Sequence, residues 1–205
     1  PNEGKSFVAI NTSISLCLTG SKVVLLEFDL RKPKISIAMG MKRDPGLSNY
    51  LIGKATAGEI IQQHATIADF SVISSGPVPP NPAELISSDR LKLLMDYLKQ
   101  HFDYIVIDSP PVASVTDSKI LANVADLTLY IVRHNYTDIG FLQLVNDNYQ
   151  KNIFPKLNIV FNGIGNKKII GYGYGYGKGY GYGYGYGYGY GYGYGYGYTE
   201  DTKKK

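Results

Sequence analysis

Short apolar runs alternate along this chain with helix-like segments, and this alternation constrains the fold more than any other feature. Five runs have the length and composition of buried strands, at positions 23–28, 70–74, 104–108, 127–132 and 157–161. Helical periodicity lies between the later runs, at positions 88–101, 117–124 and 139–151. Apolar strands of this kind are typical of parallel sheets that are covered by helices on both faces. The chain is therefore predicted to be an α/β protein with a doubly wound, mostly parallel sheet and right-handed crossovers.

The C-terminal part of the chain has a different composition. Between Gly171 and Tyr198 glycine and tyrosine alternate almost strictly, and only Lys178 interrupts them. Glycine at every second position raises the entropy cost of ordering, and no aliphatic side chain is available for burial. We expect residues 167–205 to be a disordered tail and residues 1–166 to form one globular domain.

The net charge of +4 belongs entirely to this tail. Residues 1–166 carry 15 basic and 15 acidic side chains, whereas residues 167–205 carry 6 basic and 2 acidic ones. A neutral globular domain argues against a broad nucleic-acid-binding face. Cys17 is the single cysteine and is interpreted as a small core residue of the first helix, in a chain suited to a reducing compartment.

Gly4-Lys5-Ser6 opens the first helical segment and has the sequence of the last part of a P-loop. At a helix N-terminus the backbone N–H groups and the helix dipole favour phosphate oxygens. Lys5 would neutralise the β- and γ-phosphates, and the Ser6 hydroxyl would bind Mg²⁺. The first glycine of the loop and the strand before it are expected upstream of Pro1. The tripeptide alone is a weak signal because Gly-Lys-Ser occurs often by chance.

Two aspartates at the ends of predicted strands strengthen this interpretation. Asp29 follows the run at 23–28, and Asp108 ends the run at 104–108. Ligands of open parallel sheets bind beyond the carboxyl ends of the strands, so both carboxylates should face the phosphate loop. Asp108 has the position of a Walker B aspartate, which holds Mg²⁺ directly or through water. Each aspartate taken alone is also compatible with a helix cap or a loop.

A family resemblance is carried by VLLEFDLRKP (24–33), GPVPPNPAEL (76–85) and FDYIVIDSPP (102–111), the last followed by Thr116-Asp117. These segments resemble the Walker A′ motif, a proline-rich hallmark and the Walker B segment of the bacterial tyrosine kinases. The kinases of this family are autokinases that are tied to capsule and exopolysaccharide export. The resemblance covers residues 1–166, and the C-terminal tyrosine cluster completes it. It implies a P-loop NTPase fold of the deviant Walker A type, like that of the MinD and ParA ATPases.

The resemblance also implies a set of site residues around ATP and Mg²⁺. Catalysis would rest on Lys5, Glu27, Asp29 and Asp108, and metal binding on Ser6, Asp29 and Asp108. The nucleotide contacts would include Glu3, Gly4, Lys5, Ser6, Phe7 and Arg31. Glu27 stands where the family usually has aspartate, and a salt-bridged structural residue is its alternative. A solvated basic turn is the alternative for Arg31 and Lys32.

Asn162 ends the last predicted strand and is a candidate contact for the adenine. A turn-forming asparagine before Gly163 is the alternative for this residue. His64, His101 and His134 have no metal-ligand spacing and are interpreted as ordinary histidines.

The tail would supply the phosphate acceptors. Its thirteen tyrosines are Tyr172, Tyr174, Tyr176, Tyr180, Tyr182, Tyr184, Tyr186, Tyr188, Tyr190, Tyr192, Tyr194, Tyr196 and Tyr198. The tail starts a few residues after the last strand, so we expect transfer to the tail of a neighbouring subunit. Each phosphate adds about −1.5 to −2 charges, and self-repulsion is predicted to weaken the contacts between subunits.

The function that the resemblance implies is an ATP-dependent tyrosine autokinase that regulates polymerisation and export of exopolysaccharide or capsule. Its expected partners are further copies of the chain, a membrane polysaccharide co-polymerase part on the same or a separate polypeptide, and a tyrosine phosphatase. No nucleic-acid partner is expected. The expected location is cytoplasmic, at the inner face of the plasma membrane.

Two other functions remain open at this point. Residues 1–166 also resemble switch ATPases that position division and partition machinery and transfer the γ-phosphate to water. The Gly/Tyr repeat is low-complexity sequence that could instead act as a self-associating scaffold. Phosphotyrosine formation distinguishes the kinase from the switch ATPase, and condensation of the tail without ATP would favour the scaffold.

Overall fold

The computed structural model describes residues 2–111 and 117–164, and these contain eight helices and six strands. The helices are α1 Lys5–Leu18, α2 Ile35–Ala38, α3 Leu47–Leu51, α4 Ala57–Ile60, α5 Pro82–Ile86, α6 Asp89–Lys99, α7 Asp117–Ala122 and α8 Gly140–Gln150. The strands are β1 Val23–Glu27, β2 Gln62–Gln63, β3 Phe70–Ile73, β4 Tyr104–Asp108, β5 Thr128–Arg133 and β6 Leu157–Asn162. All five predicted strands are present, so the predicted α/β class with mostly parallel strands is confirmed.

The strands form two sheets rather than the single sheet that the sequence predicts. The larger sheet has the order β2-β3-β1-β4, in which β3 and β4 run parallel to β1 and the short β2 runs antiparallel to β3. The smaller sheet pairs β5 with β6 in parallel. Among the described strands, none joins β4 to β5. Which strands pair depends on which strand edges meet in the folded chain, and the periodicity of the sequence does not contain this information.

β1 is buried on both faces, and this explains its apolar sequence. Val24 and Leu26 pack into one hydrophobic cluster with side chains of α6, whereas Val23 and Leu25 pack into a second cluster with α1. The second cluster contains Cys17, whose side chain is buried as predicted. Alternate residues of a strand point to opposite faces, so a strand between two helical layers needs apolar side chains at every position. The layers hold the carboxyl ends of β1 and β4 side by side.

The apolar side chains of α1 differ in their burial. Ile10 and Ile14 pack against the core, but Phe7 and Leu18 are 64% and 81% exposed. The most buried residues of the helix are Ser13 and Cys17, which lie four residues apart on one face of the helix. Polar Ser13 is accommodated because its hydroxyl donates to the carbonyl of Ala9 at 2.8 Å.

The short helices α2, α3 and α4 were not predicted. Each has four or five residues, which is too few for a 3.6-residue period to show in the sequence. α5 begins at Pro82 within the proline-rich segment 76–85, and proline is favoured in the first turn of a helix.

The predicted tail and the boundary at residue 166 lie outside the described residues, as does Thr116. The described residues all fall in one unit, Pro1–Gly165. None of the helices in this described part is both long enough and apolar enough to span a membrane.

Candidate active site

A loop with positive backbone φ at Gly4 leads into α1 at the carboxyl edge of the larger sheet. Gly4 has φ of 98° and caps the helix, a conformation that favours glycine. A side chain at this position would also collide with the amide of Asn162. The free N–H groups of the first turn of α1 make this loop suited to bind phosphate.

Asp108 lies directly behind the loop, at the end of β4. The Ser6 hydroxyl donates to Asp108 Oδ2 at 2.7 Å, and the carboxylate is only 5% exposed. Burial raises the pKa of Asp108 to about 6, the negative charges of Asp29 and Glu27 act in the same direction, and Ser6 and Lys5 oppose the rise. A cation placed beside this carboxylate would therefore stabilise its charged form.

Lys5 is held by a carboxylate of its own loop. Its Nζ lies 2.7 Å from Glu3 Oε2 in an ion pair that is partly buried. Burial acts to raise the pKa of Glu3, but the hydrogen bond and charge of Lys5, with backbone donors, lower it to about 2. Glu3 thus neutralises the lysine at the place where phosphate would bring a competing negative charge.

Asp29 lies on the wall of a cavity of about 300 Å³. The cavity is lined by Asn2, Gly4, Lys5, Ser6, Phe7, Asp29, Lys32, Lys34 and Pro111. Asp29 Oδ1 accepts the backbone N–H of Lys32 at 3.0 Å, which fixes the turn that follows β1. In the described part of the chain, no further hydrogen bond to this carboxylate is present, so Asp29 Oδ2 is available to a ligand.

Glu27 does not line the cavity, because its side chain is fully buried behind it. Its carboxylate accepts the backbone N–H groups of Ile35 and Ser36 at the start of α2. It also accepts the Ser36 hydroxyl at 2.9 Å and the backbone N–H of Ser75 at 3.2 Å. Glu27 therefore ties the end of β1 to α2 and to the segment that follows β3.

Arg31 and Asn162 contact the protein rather than the cavity. Arg31 Nε lies 3.3 Å from Asp117 Oδ2, so the turn after Asp29 is linked to the buried first residue of α7. The Asn162 amide donates to the carbonyl of Glu3 at 2.8 Å. Arg133 donates to the carbonyl of Asn2 at the same distance, so the ends of β5 and β6 hold the phosphate loop.

The structure thus gathers Gly4, Lys5, Ser6, Phe7 and Asp29 around one cavity, with Asp108 hydrogen-bonded to its wall. Sequence patterns did not point to Lys34, which lines the cavity, or to Arg133, which donates to the phosphate loop. Both depend on loops that are distant in sequence, and no motif marks either residue. A second cavity, of about 320 Å³ between α8 and β6, is lined mainly by apolar side chains and contains no charged group.

Comparison with known proteins agrees with this geometry. A family model described as an AAA domain, AAA_31, matches residues 3–159. The chain belongs to this AAA domain family. A tyrosine-protein kinase of Bacillus subtilis, YwqD, is 36% identical over 138 residues, which are 67% of this chain and 58% of that protein. The tyrosine-protein kinase etk of Escherichia coli K12 is 32% identical over 65% of this chain and 18% of its own length.

Solved structures give the same relationship. The kinase domain of the Escherichia coli tyrosine kinase ETK superposes with a TM-score of 0.75 and 28% identity, over 87% of this chain and 69% of that chain. The chimerical protein CapA2B2 superposes with a TM-score of 0.72 and 30% identity, over 78% of this chain and 71% of that chain. Within the AAA domain family, this chain is a member of the bacterial tyrosine kinases.

A more distant likeness concerns the fold alone. The septum site-determining protein MinD from Pyrococcus horikoshii, complexed with Mg-ADP, has a TM-score of 0.63 and 20% identity over 78% of this chain. The predicted deviant Walker A fold is therefore confirmed. The chain spans 58% of the length of the Bacillus relative and 18% of the Escherichia coli one.

Proposed function

We propose that this chain is the catalytic part of a tyrosine autokinase that transfers the γ-phosphate of ATP to the tail tyrosines of a neighbouring copy. The observation that carries the proposal is the hydrogen bond from Ser6 to Asp108 beside a cavity that also contains Lys5 and Asp29. Phosphoryl transfer depends mainly on positioning and charge stabilisation, and these four side chains provide both.

The phosphate chain would bind at the N-terminus of α1. The backbone N–H groups there donate to phosphate oxygens, and Lys5 exchanges its ion pair with Glu3 for one with phosphate. Asn162 and Arg133 keep the loop in place by holding the carbonyls of Glu3 and Asn2. Positioning of this kind lowers the barrier to phosphate transfer, because the bound groups lose less translational and rotational entropy on reaching the transition state.

The donor set fits Mg²⁺. Ser6 and Asp108 offer a hydroxyl and carboxylate oxygens, which this cation prefers, and Asp29 adds negative charge at the same cavity. No group of three or more His, Cys, Asp or Glu side chains that could hold a metal occurs in the described residues, as expected for an ion that takes several ligands from phosphate and water. When bound, Mg²⁺ would neutralise charge on the phosphates.

Asp29 is the carboxylate that we assign to the tyrosine hydroxyl. It faces the cavity and has an available oxygen, whereas the buried Glu27 has its oxygens occupied by donors from α2 and Ser75. Asp29 would accept the phenol proton as the phenol oxygen bonds to the γ-phosphorus and ADP leaves. We assign Glu27 a positioning role, in which it holds the loop between β1 and α2.

The biological setting is part of the same proposal. The kinase would work in the cytoplasm at the inner face of the plasma membrane, with a polysaccharide co-polymerase part on the same or another chain. Autophosphorylation would reverse the positive charge of the tail and separate the subunits, and a tyrosine phosphatase would restore the first state. The relatives named as tyrosine-protein kinases support the kinase activity on which this setting rests.

Mixing two variants tests both the activity and the transfer between copies. The donor carries phenylalanine at all thirteen tail tyrosines and has no acceptor there, whereas the acceptor carries Lys5→Met and an intact tail. With Mg-ATP, we expect phosphotyrosine on the acceptor only when the donor is present. Release of inorganic phosphate without phosphotyrosine would contradict the proposal and support a switch ATPase.

The pKa of Asp108 predicts how binding of Mg-nucleotide depends on pH. The folded-state pKa of Asp108 is about 6, above the usual value of 3.8. Below about pH 6 the empty site therefore holds a proton on this carboxylate, and a bound cation must displace it. The affinity for Mg-nucleotide should be highest and independent of Asp108 protonation above the folded-state pKa. Below that pKa it should fall by up to about tenfold per pH unit. Calorimetry with Mg-ADP measures this for the parent and for Asp108→Asn. The nucleotide titrates equally in both, so the parent should lose its advantage over the variant at low pH. A constant advantage would contradict the assignment.

A further inference from the structure

The cavity beside the phosphate loop contains more positive charge than Lys5 alone. Lys32 and Lys34 line the same walls, and Asp29 is the acidic residue among the lining side chains. Lys5 is paired with Glu3, whereas neither Lys32 nor Lys34 has an ion pair with the described residues. Two exposed lysines at one cavity, neither of them in an ion pair with the described residues, are suited to a polyanionic ligand.

Lys34 is held in place more firmly than a surface lysine usually is. It is the residue before α2, and the carbonyl of Lys34 accepts the N–H of Ala38 at 3.0 Å. The next two residues, Ile35 and Ser36, are buried, and their N–H groups are bound by the carboxylate of Glu27. The backbone at Lys34 is therefore fixed on its C-terminal side, and its side chain extends to the cavity.

The two walls of the cavity come from different parts of the chain. Lys5 and Ser6 belong to the phosphate loop, whereas Asp29 and Lys34 both lie in the segment between β1 and α2. If the inner phosphates of a nucleotide bind at the start of α1, the lining residues that follow β1 remain for its outermost phosphate. A phosphate group with about −1.5 to −2 charges would be matched there by a lysine.

We propose that Lys34 contacts the terminal phosphate of a bound nucleoside triphosphate and makes the site prefer triphosphate to diphosphate. The inference rests on the proposed nucleotide site and goes beyond it by naming the residue that distinguishes substrate from product. Such a preference favours release of the diphosphate after each transfer. Lys34 is then a specificity-determining residue for the reaction.

Binding constants for a non-hydrolysable ATP analogue and for ADP, both with Mg²⁺, test the proposal by calorimetry. Lys34→Ala should weaken binding of the analogue by about tenfold, because one charge-assisted hydrogen bond is lost, and should change ADP binding by less than about twofold. Lys34→Arg should retain most of the preference. Lys42→Ala removes an exposed lysine that does not line the cavity and should leave both constants unchanged.

An equal loss for both nucleotides, or no loss for either, would overturn the proposal. The side chain of Lys34 is exposed, so thermal denaturation should show that the variant folds like the parent. These constants are measured without phosphate transfer. A failure of kinase activity would therefore leave the Lys34 test valid, and a failure of this test would leave the kinase proposal intact.

Discussion

Replacing Lys5 with methionine should lower the rate of phosphate transfer by about 10²–10³-fold, the loss typical of removing one fixed group that stabilises transition-state charge. Lys5 is the one phosphate-loop lysine at the start of α1, where charge would develop on the transferred group. Methionine has a similar length and no charge, so the loop should keep its shape. The measurement is the initial rate of phosphotyrosine formation under saturating Mg-ATP.

The ion pair between Lys5 and Glu3 adds an independent readout of the same substitution. Without Lys5, Glu3 loses the hydrogen bond and charge that hold its pKa at about 2, so NMR titration should show that pKa rising. Lys92→Met is the matched control, because Lys92 is an exposed lysine of α6 and does not line the cavity. A Lys5→Met protein with the parent's rate would show that the phosphate loop does not act in catalysis.

Replacing Glu27 with alanine should lower the free energy of unfolding by about 3–5 kcal/mol. The substitution leaves the backbone donors of Ile35, Ser36 and Ser75 buried without an acceptor, and it removes the acceptor of the Ser36 hydroxyl. Each unsatisfied buried donor costs roughly 1–3 kcal/mol, although their sum is reduced by local relaxation. The expected fall in melting temperature is of order 10 °C.

Asp96→Ala is the control for the loss of one carboxylate. Asp96 is exposed on α6, and its replacement should change stability by less than about 0.5 kcal/mol. Glu27→Gln should be intermediate, since the amide keeps the volume and one acceptor oxygen but presents an NH₂ group to other donors. If the Glu27→Ala protein melted at the parent's temperature, the hydrogen bonds of Glu27 would not stabilise the fold as proposed.

The sequence was sufficient to predict the parts of the fold that repeat a local pattern. Buried strands such as β1 lack polar interruptions because helices cover both of their faces, so their positions could be read directly. The separation of β5 and β6 from the larger sheet was not predicted, because strand pairing depends on edges that meet in three dimensions. Phe7 and Leu18 of α1 are apolar but exposed, and which face of a helix meets the core is also decided by the folded arrangement.

The residues of the candidate site that belong to a sequence motif could be predicted. The start of α1 contains the phosphate-loop residues Gly4, Lys5 and Ser6. Of the two aspartates, Asp108 ends β4 and Asp29 follows the neighbouring parallel strand β1. The residues that hold these groups were beyond a sequence-based prediction. Arg31 pairs with Asp117 and Asn162 binds the phosphate loop, and such contacts between distant segments depend on the folded arrangement.

The most direct measurement of the central claim is to incubate the purified protein with Mg-ATP and locate phosphate by mass spectrometry. The proposal predicts phosphate on tyrosines between Tyr172 and Tyr198, and none on the buried Tyr50. It also predicts that dilution slows the modification, because the acceptor belongs to another copy. Consumption of ATP with no phosphotyrosine on the tail would contradict the proposal.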